Sequence, residues 1–371
     1  MKKVLILSAS TGGGHNRAAK ALQDALSSRN IQSEIIDSLK FVSPTVDKII
    51  SKGYEKSAIY TPKAYGKVYK ISDWTISKRE LNKNIFLRYM MIKLNRLISD
   101  KKPDAIIGTH PFPLMAVSKL KKKHKFNIPI MSILTDYTIH STWIQDEIDF
   151  YIVGDEFVKQ LLIEEGIHKD KIYPFGIPIE KSFLEIKDID SVKKEFNIDD
   201  KFTVLLMGGS FGAGNVKDAF LDLLNINYDI QIIVVTGRND SLKEKIKKII
   251  DLGIDKKVVL LSFTDKISHL MSLSDVLISK PGGLTTTEAI LKEIPMVIPY
   301  YIPGQEEENI DFLLNNGLAL KTTPKYNLKV LIQILIENPD RLQNIKNNMR
   351  LIKKLHSAEN IADLIANELN K

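Results

Sequence analysis

The 371-residue chain contains no cysteine. Disulfides and thiolate metal sites are therefore excluded, and a reducing compartment suits the chain. Histidine is scarce, with seven residues, and none of them falls in a zinc-binding spacing. No apolar run approaches the ~18–20 residues needed to cross a bilayer. The opening "VLIL" meets polar residues too soon for a secretory signal and reads as a strand. Internal repeats and low-complexity segments are missing as well. With 44% hydrophobic and 26% charged residues, the composition is that of a soluble folded protein and excludes disordered and collagen-like classes. The length calls for two domains.

The formal net charge is +8, and it is local: residues 51–103 hold thirteen Lys/Arg against four Asp/Glu. Within a helical, basic and aromatic insertion at about 41–100, Tyr54, Tyr60, Tyr65, Tyr69 and Trp74 alternate with Lys52, Lys56, Lys63, Lys67 and Lys70. Positive grooves with stacking aromatics bind single-stranded nucleic acid. Lys and Arg with interfacial Tyr and Trp also suit an anionic membrane surface. A solvated helical face is the bland alternative. No RNA-binding signature is present.

Elsewhere, short apolar runs alternate with amphipathic helical patterns. Strands are expected at 3–9, 104–110, 128–136 and 149–154 in the first half. In the second half they are expected at 202–208, 230–237, 257–263, 274–280 and 294–300. This rhythm predicts βαβ units and parallel sheets covered on both faces, so the fold class is α/β with two doubly wound units in tandem. The boundaries expected are a first domain at 1–178, a linker at 179–200, a second domain at 201–340 and C-terminal helices at 341–371. Within the linker, "KDID" reads as capping chemistry ahead of a helix capped by Ser191.

In open parallel sheets, ligands bind outside the carboxyl ends of the strands. Three glycine turns lie there. "STGGGHNRAA" follows the first strand and leads into a helix from about His15, where a positive helix end favours a neutral imidazole. It lacks the last glycine of a dinucleotide fingerprint and the Lys of a Walker A loop. "LLMGGSFGAG" supplies Gly208, Gly209 and Ser210. "ISKPGGLTTTEAI" turns at Gly282 and Gly283 and offers N–H groups and hydroxyls to a diphosphate, with Glu288 one turn further in. "PYYIPGQEEEN" clusters Gln305, Glu306 and Asn309, side chains suited to sugar hydroxyls. Arg238 in "TGRND" is a candidate phosphate contact. "LTDYTIHSTWI" places Asp136, His140 and Trp143 in a candidate acceptor-side loop. In "GTHPFP", which carries His110, the prolines argue for helix initiation.

Taken in order, "STGGGH", "TDY…H…TW", "GGSFGAGN", "TGRN", "SKPGGLTTTEA" and "PGQEEEN" resemble the monogalactosyldiacylglycerol synthase and processive diacylglycerol glucosyltransferase group of glycosyltransferase family 28. The resemblance spans about residues 3–350. It implies a GT-B fold, two facing Rossmann-like domains with a cleft between them, and an inverting transfer from a UDP-sugar to a lipid hydroxyl without an obligatory metal or other cofactor. It implies that Ser210 and the turn Gly282, Gly283, Leu284, Thr285 and Thr286 hold the diphosphate. It further implies that the backbone at Phe263 meets uracil, that Glu288 meets the ribose, and that Gln305 with Glu306 meets the sugar. Gly14, Gly209 and Asn309 join the donor side. Gly14 lets the first loop approach closely, His15 is the candidate base, and Arg238 helps neutralise departing UDP.

The partners expected are a UDP-hexose, glucose ahead of galactose, then diacylglycerol and an anionic membrane surface, but no nucleic acid. The location expected is cytoplasmic, at the inner face of the cell membrane. Three alternatives remain open: transfer to another lipid or isoprenoid-linked acceptor, a non-catalytic, UDP-sugar-responsive membrane-associated regulator, and a nucleotide-sugar epimerase of the same two-domain layout, which would need no lipid and would leave the basic insertion unexplained.

Overall fold

The computed structural model describes residues 1–10, 13–43, 85–185, 188–209 and 214–371, with the side chain of Gln305 left out. The chain forms two compact units. One comprises Met1–Glu180 with Lys354–Lys371, and the other Lys181–Lys353.

The first unit carries six strands: β1 (Lys3–Ser8), β2 (Gln32–Asp37), β3 (Ala105–Gly108), β4 (Ile130–Ile133), β5 (Phe150–Ile152) and β6 (Ile172–Tyr173). They form one parallel sheet in the order β2-β1-β3-β4-β5-β6. The strand order reverses between β1 and β3, so the crevice that such sheets use for ligands opens at their carboxyl ends. β1 is buried from Val4 onward because helices cover both faces. The helix Gly14–Ser27 packs Ala19, Leu22, Ala25 and Leu26 into the core. The last helix of the chain, Ser357–Leu369, adds Ile361, Ala362 and Ile365 to that same core. The C-terminal helix thus belongs to the first unit.

The second unit carries β7 (Phe202–Met207), β8 (Ile230–Val235), β9 (Lys257–Leu261), β10 (Val276–Ile278), β11 (Met296–Ile298) and β12 (Ala319–Lys321). Its sheet is also parallel, ordered β12-β11-β10-β7-β8-β9. This is the doubly wound order of dinucleotide-binding sheets, with the switch point between β7 and β10.

Local chemistry fixes several helix starts. His110 accepts the Phe112 amide at 3.2 Å and Pro111 follows as the first helical residue, so the prolines do initiate a helix. Asp155 caps Glu156–Glu164 in the same way. In "KDID" the cap is Asp188, whose carboxylate accepts from Asp190 N at 3.1 Å, so the helix begins at Ile189, two residues before Ser191.

Candidate active site

In the first unit the site is built where the chain leaves β1, β3 and β4. Gly13, at φ 80°, turns the chain out of β1 in a conformation that glycine adopts freely. Gly14 opens the helix, and His15 stands in its first turn. The His15 Nδ1 lies 2.7 Å from the Thr109 carbonyl and 2.8 Å from Thr135 Oγ1. A carbonyl oxygen only accepts, so Nδ1 carries the hydrogen and Nε2 keeps a lone pair. Thr109 Oγ1 returns a bond to the His15 carbonyl at 3.1 Å. Burial pushes the His15 imidazole down to about 4, against an opposing pull from the Thr109 carbonyl. The His110 ring meets His15 edge-on, with centroids 4.6 Å apart and planes at 71°. Burial first, and the neighbouring His15 second, hold His110 well below the ordinary histidine range. Two neutral imidazoles therefore sit together at the first switch point.

Asp136 follows Thr135 directly and is buried. His140 is buried too, and its Nδ1 accepts the Thr142 amide at 3.2 Å, capping the short turn Ser141–Trp143. Trp143 lies in the core. These three thus stand in the loop after β4, with His140 and Trp143 building that loop.

In the second unit the turns after β7 and β10 flank the switch point. The helix Gly283–Leu291 begins after Gly282 with no side-chain cap and no acid in its first turn, leaving N–H groups suited to an anion. The helix Gly14–Ser27 opens in the same way. Thr287 Oγ1 turns back to the Gly283 carbonyl at 2.8 Å. Ser279 Oγ and Thr286 Oγ1 are buried without a hydrogen-bond partner among the described residues. Leu284 and Glu288 are buried in the same helix, and Thr285 is half-buried.

Lys280 follows β10 and pairs with Glu306. The other carboxylate oxygen of Glu306 accepts the Ile302 amide at 2.7 Å. Asn309 ties its helix to the glycine turn through a 3.0 Å bond from Nδ2 to the Pro281 carbonyl. The guanidinium of Arg238, after β8, stacks on the exposed Phe263 ring after β9, 4.9 Å from its centroid. Ser210 and the Gln305 side chain lie outside the described residues, as do residues 44–84 of the basic insertion.

Residues 15–179 match the family model of monogalactosyldiacylglycerol (MGDG) synthase, and residues 203–365 match that of the glycosyltransferase family 28 C-terminal domain. The processive diacylglycerol beta-glucosyltransferase of Bacillus cytotoxicus is 32% identical over 378 residues, covering 99% of this chain and 94% of its own. The chain belongs to this group of glycosyltransferase family 28. The Bacillus pumilus enzyme of the same name is 31% identical over 99% of this chain and 95% of its own length. Among solved structures, Acinetobacter baumannii MurG superposes with a TM-score of 0.66 at 13% identity, covering 99% of this chain and 100% of that one. Anabaena HepE, solved with UDP-glucose, gives a TM-score of 0.58 at 16% identity with the same coverage. The fold is GT-B, as the resemblance implied.

The motifs place His15 and the donor-side turns at strand ends, and His110 at a helix start, but they give no role to three neighbours. Thr109 and Thr135 hold His15, Lys280 sits between the glycine turns, and His110 also packs on His15. Each lies within two residues of the end of β3, β4 or β10, a position that speaks for itself once the strand order is known.

Proposed function

We propose that this family 28 enzyme transfers a hexose, glucose in preference to galactose, from a UDP-sugar to the hydroxyl of diacylglycerol or a glycosyl-diacylglycerol. The observation that carries the reading is the fixed tautomer of His15. With Nδ1 committed to Thr109, the lone pair on Nε2 is available to an acceptor hydroxyl at neutral pH. The acceptor oxygen forms its bond to C1 of the sugar as the bond from C1 to the β-phosphate oxygen breaks. The acceptor proton passes to Nε2, and UDP departs with the electron pair. A direct displacement inverts the anomeric carbon, which agrees with the "beta" in the relatives' names.

On the donor side, the turn from Gly282 to Thr286 and Ser210 receive the diphosphate, Glu288 the ribose and Gln305 the sugar. Arg238 helps neutralise the departing UDP, and the Phe263 backbone meets the uracil. Two features support the diphosphate assignment: the uncapped helix start and the two unpartnered buried hydroxyls at the second switch point. As the resemblance implies, the transfer is read as working without an obligatory metal or other cofactor.

A lipid acceptor calls for work at a membrane surface, and we assign the enzyme to the inner face of the cell membrane. Among the described residues, no helix is long and apolar enough to cross one. The helix Ile85–Lys101 presents Ile85, Tyr89 and Ile92 to solvent on one face, with Arg88, Lys93 and Arg96 beside them. Apolar side chains with basic neighbours suit an anionic lipid surface, at ~1 kcal/mol for each basic residue.

The test is UDP release by purified protein, comparing UDP-glucose with UDP-galactose, with and without diacylglycerol in anionic vesicles. Release that needs the lipid and prefers UDP-glucose is expected. Release with another lipid acceptor alone would redirect the acceptor assignment. UDP binding without release under any of these conditions would leave the regulator.

A further inference from the structure

Lys280 occupies an unusual position. It follows β10 at the second switch point, and both glycine turns close on it. A Cβ built on Gly209 would lie 3.0 Å from Lys280 Cε, and one on Gly282 would lie 3.4 Å from Lys280 Nζ and 3.7 Å from Glu306 Oε1. Gly209 also has φ 68°, in the left-handed region. The glycines on either side thus leave room for the lysine stem and its ammonium.

The partner of that ammonium is buried. The Glu306 side chain is 2% exposed, against 21% for Lys280. One carboxylate oxygen takes Lys280, and the other takes the Ile302 amide. An ammonium has three N–H groups, and among the described residues Glu306 is the one polar partner of Lys280. The pair is therefore oriented, with its negative end inside and its positive end toward solvent. A buried carboxylate that serves only to fix a half-buried lysine is expensive to desolvate. Its placement makes chemical sense where an anion meets the outer face of the lysine.

We propose that Lys280 is the cation that receives the donor diphosphate, and that Glu306 is a positioning residue acting through Lys280 rather than a reader of the sugar. This rests on the reading of the second switch point as the UDP-sugar site. It assigns sugar recognition in "PGQEEEN" to residues other than Glu306, whose two oxygens are already engaged.

The experiment is calorimetric titration of UDP, UDP-glucose and, by displacement, uridine into wild type, Lys280→Met and Glu306→Gln. Lys280→Met is expected to weaken UDP at least tenfold and uridine less than twofold. Glu306→Gln is expected to weaken UDP and UDP-glucose by the same factor. Because either variant can fail to fold, wild-type protein is also treated with acetic anhydride, and labelling at Lys280 is read by mass spectrometry. UDP is expected to protect Lys280 and uridine to leave it reactive.

Wild type that binds no UDP overturns the donor-site reading and this proposal together. Wild type that binds UDP overturns the Lys280 assignment alone if UDP does not protect the lysine, or if Lys280→Met binds UDP normally. A Glu306→Gln protein that loses UDP-glucose but keeps UDP overturns the positioning role and returns Glu306 to the sugar.

Discussion

The state of His15 is open to direct measurement. Its ordinary value of 6.5 is pushed down to about 4, a displacement of about 2.5 units, or on the order of 3 kcal/mol at 1.36 kcal/mol per unit. The sign follows from which state takes the proton first. As pH falls through ~6.5 the unfolded chain protonates while folded His15 stays neutral, so stability declines from there to about pH 4 and then levels. In protein labelled with 15N-histidine, His15 should titrate with a midpoint near 4. Above that midpoint its Nε2 should show the shift of an unprotonated nitrogen, because the Thr109 carbonyl fixes the proton on Nδ1. Replacing His15 with Gln should remove about 3 kcal/mol of the fall in unfolding free energy between pH 7.5 and 4. Turnover should show no loss from base protonation between pH 8 and 5. A midpoint of 6 or above, or a dominant Nε2–H tautomer, would refute both the burial argument and the choice of Nε2 as base.

Thr135→Val keeps the shape of the side chain but removes the 2.8 Å contact to Nδ1. At ~1 kcal/mol for one hydrogen bond, kcat should fall about fivefold with KM for UDP-glucose unchanged, and Thr135→Ser should restore it. Equal kcat values for the three proteins would remove Thr135 from the positioning of His15. Gly214 has φ 98°, and a Cβ there would lie 2.3 Å from the ring of Tyr300, whose hydroxyl donates to the Met207 carbonyl at 2.9 Å. Gly214→Ala should therefore cost at least ~2 kcal/mol, from backbone strain and the displaced ring. That lowers the Tm of the second unit by about 4–8 °C, and a shift under 1 °C in calorimetry would show that the turn relaxes freely. Tyr89→Glu combined with Ile92→Glu should weaken binding to anionic vesicles at least tenfold in a flotation assay and leave UDP affinity unchanged. Unaltered flotation would exclude this helix from the lipid contact.

How much of this was legible in the sequence follows from where each signal is stored. The nine strands expected from apolar runs all form, because a strand covered on both faces must be apolar throughout. The three missed strands are β2, β6 and β12. β2 lies at the sheet edge and is half-exposed, so "QSEIID" carries no buried run, while β6 and β12 are two and three residues long. The glycine turns were legible because a chain turning tightly from strand to helix needs glycine within a few residues of both. The neighbours of His15 were not. Thr109 lies 94 residues away and Thr135 120 residues away, and neither threonine differs in type from the fourteen others.

What brings these residues together is the strand order. β1 and β3 are adjacent although 96 residues lie between Ser8 and Ala105 in the sequence, and β4 follows β3. Each strand therefore delivers its first carboxyl-terminal residues to the same crevice. The same holds for Lys280, which is set beside Gly209 by the pairing of β10 with β7, Ile278 opposite Leu206. In both units the glycine-rich motif announces the switch point, but the groups that act with it, Thr109 and Thr135 on His15 and Lys280 beside Gly209, are delivered by neighbouring strands. A motif search finds the first kind and needs the topology to find the second. Lys280 stands within "ISKPGGLTTTEAI", and it acquires a role only when β10 is seen to lie against β7.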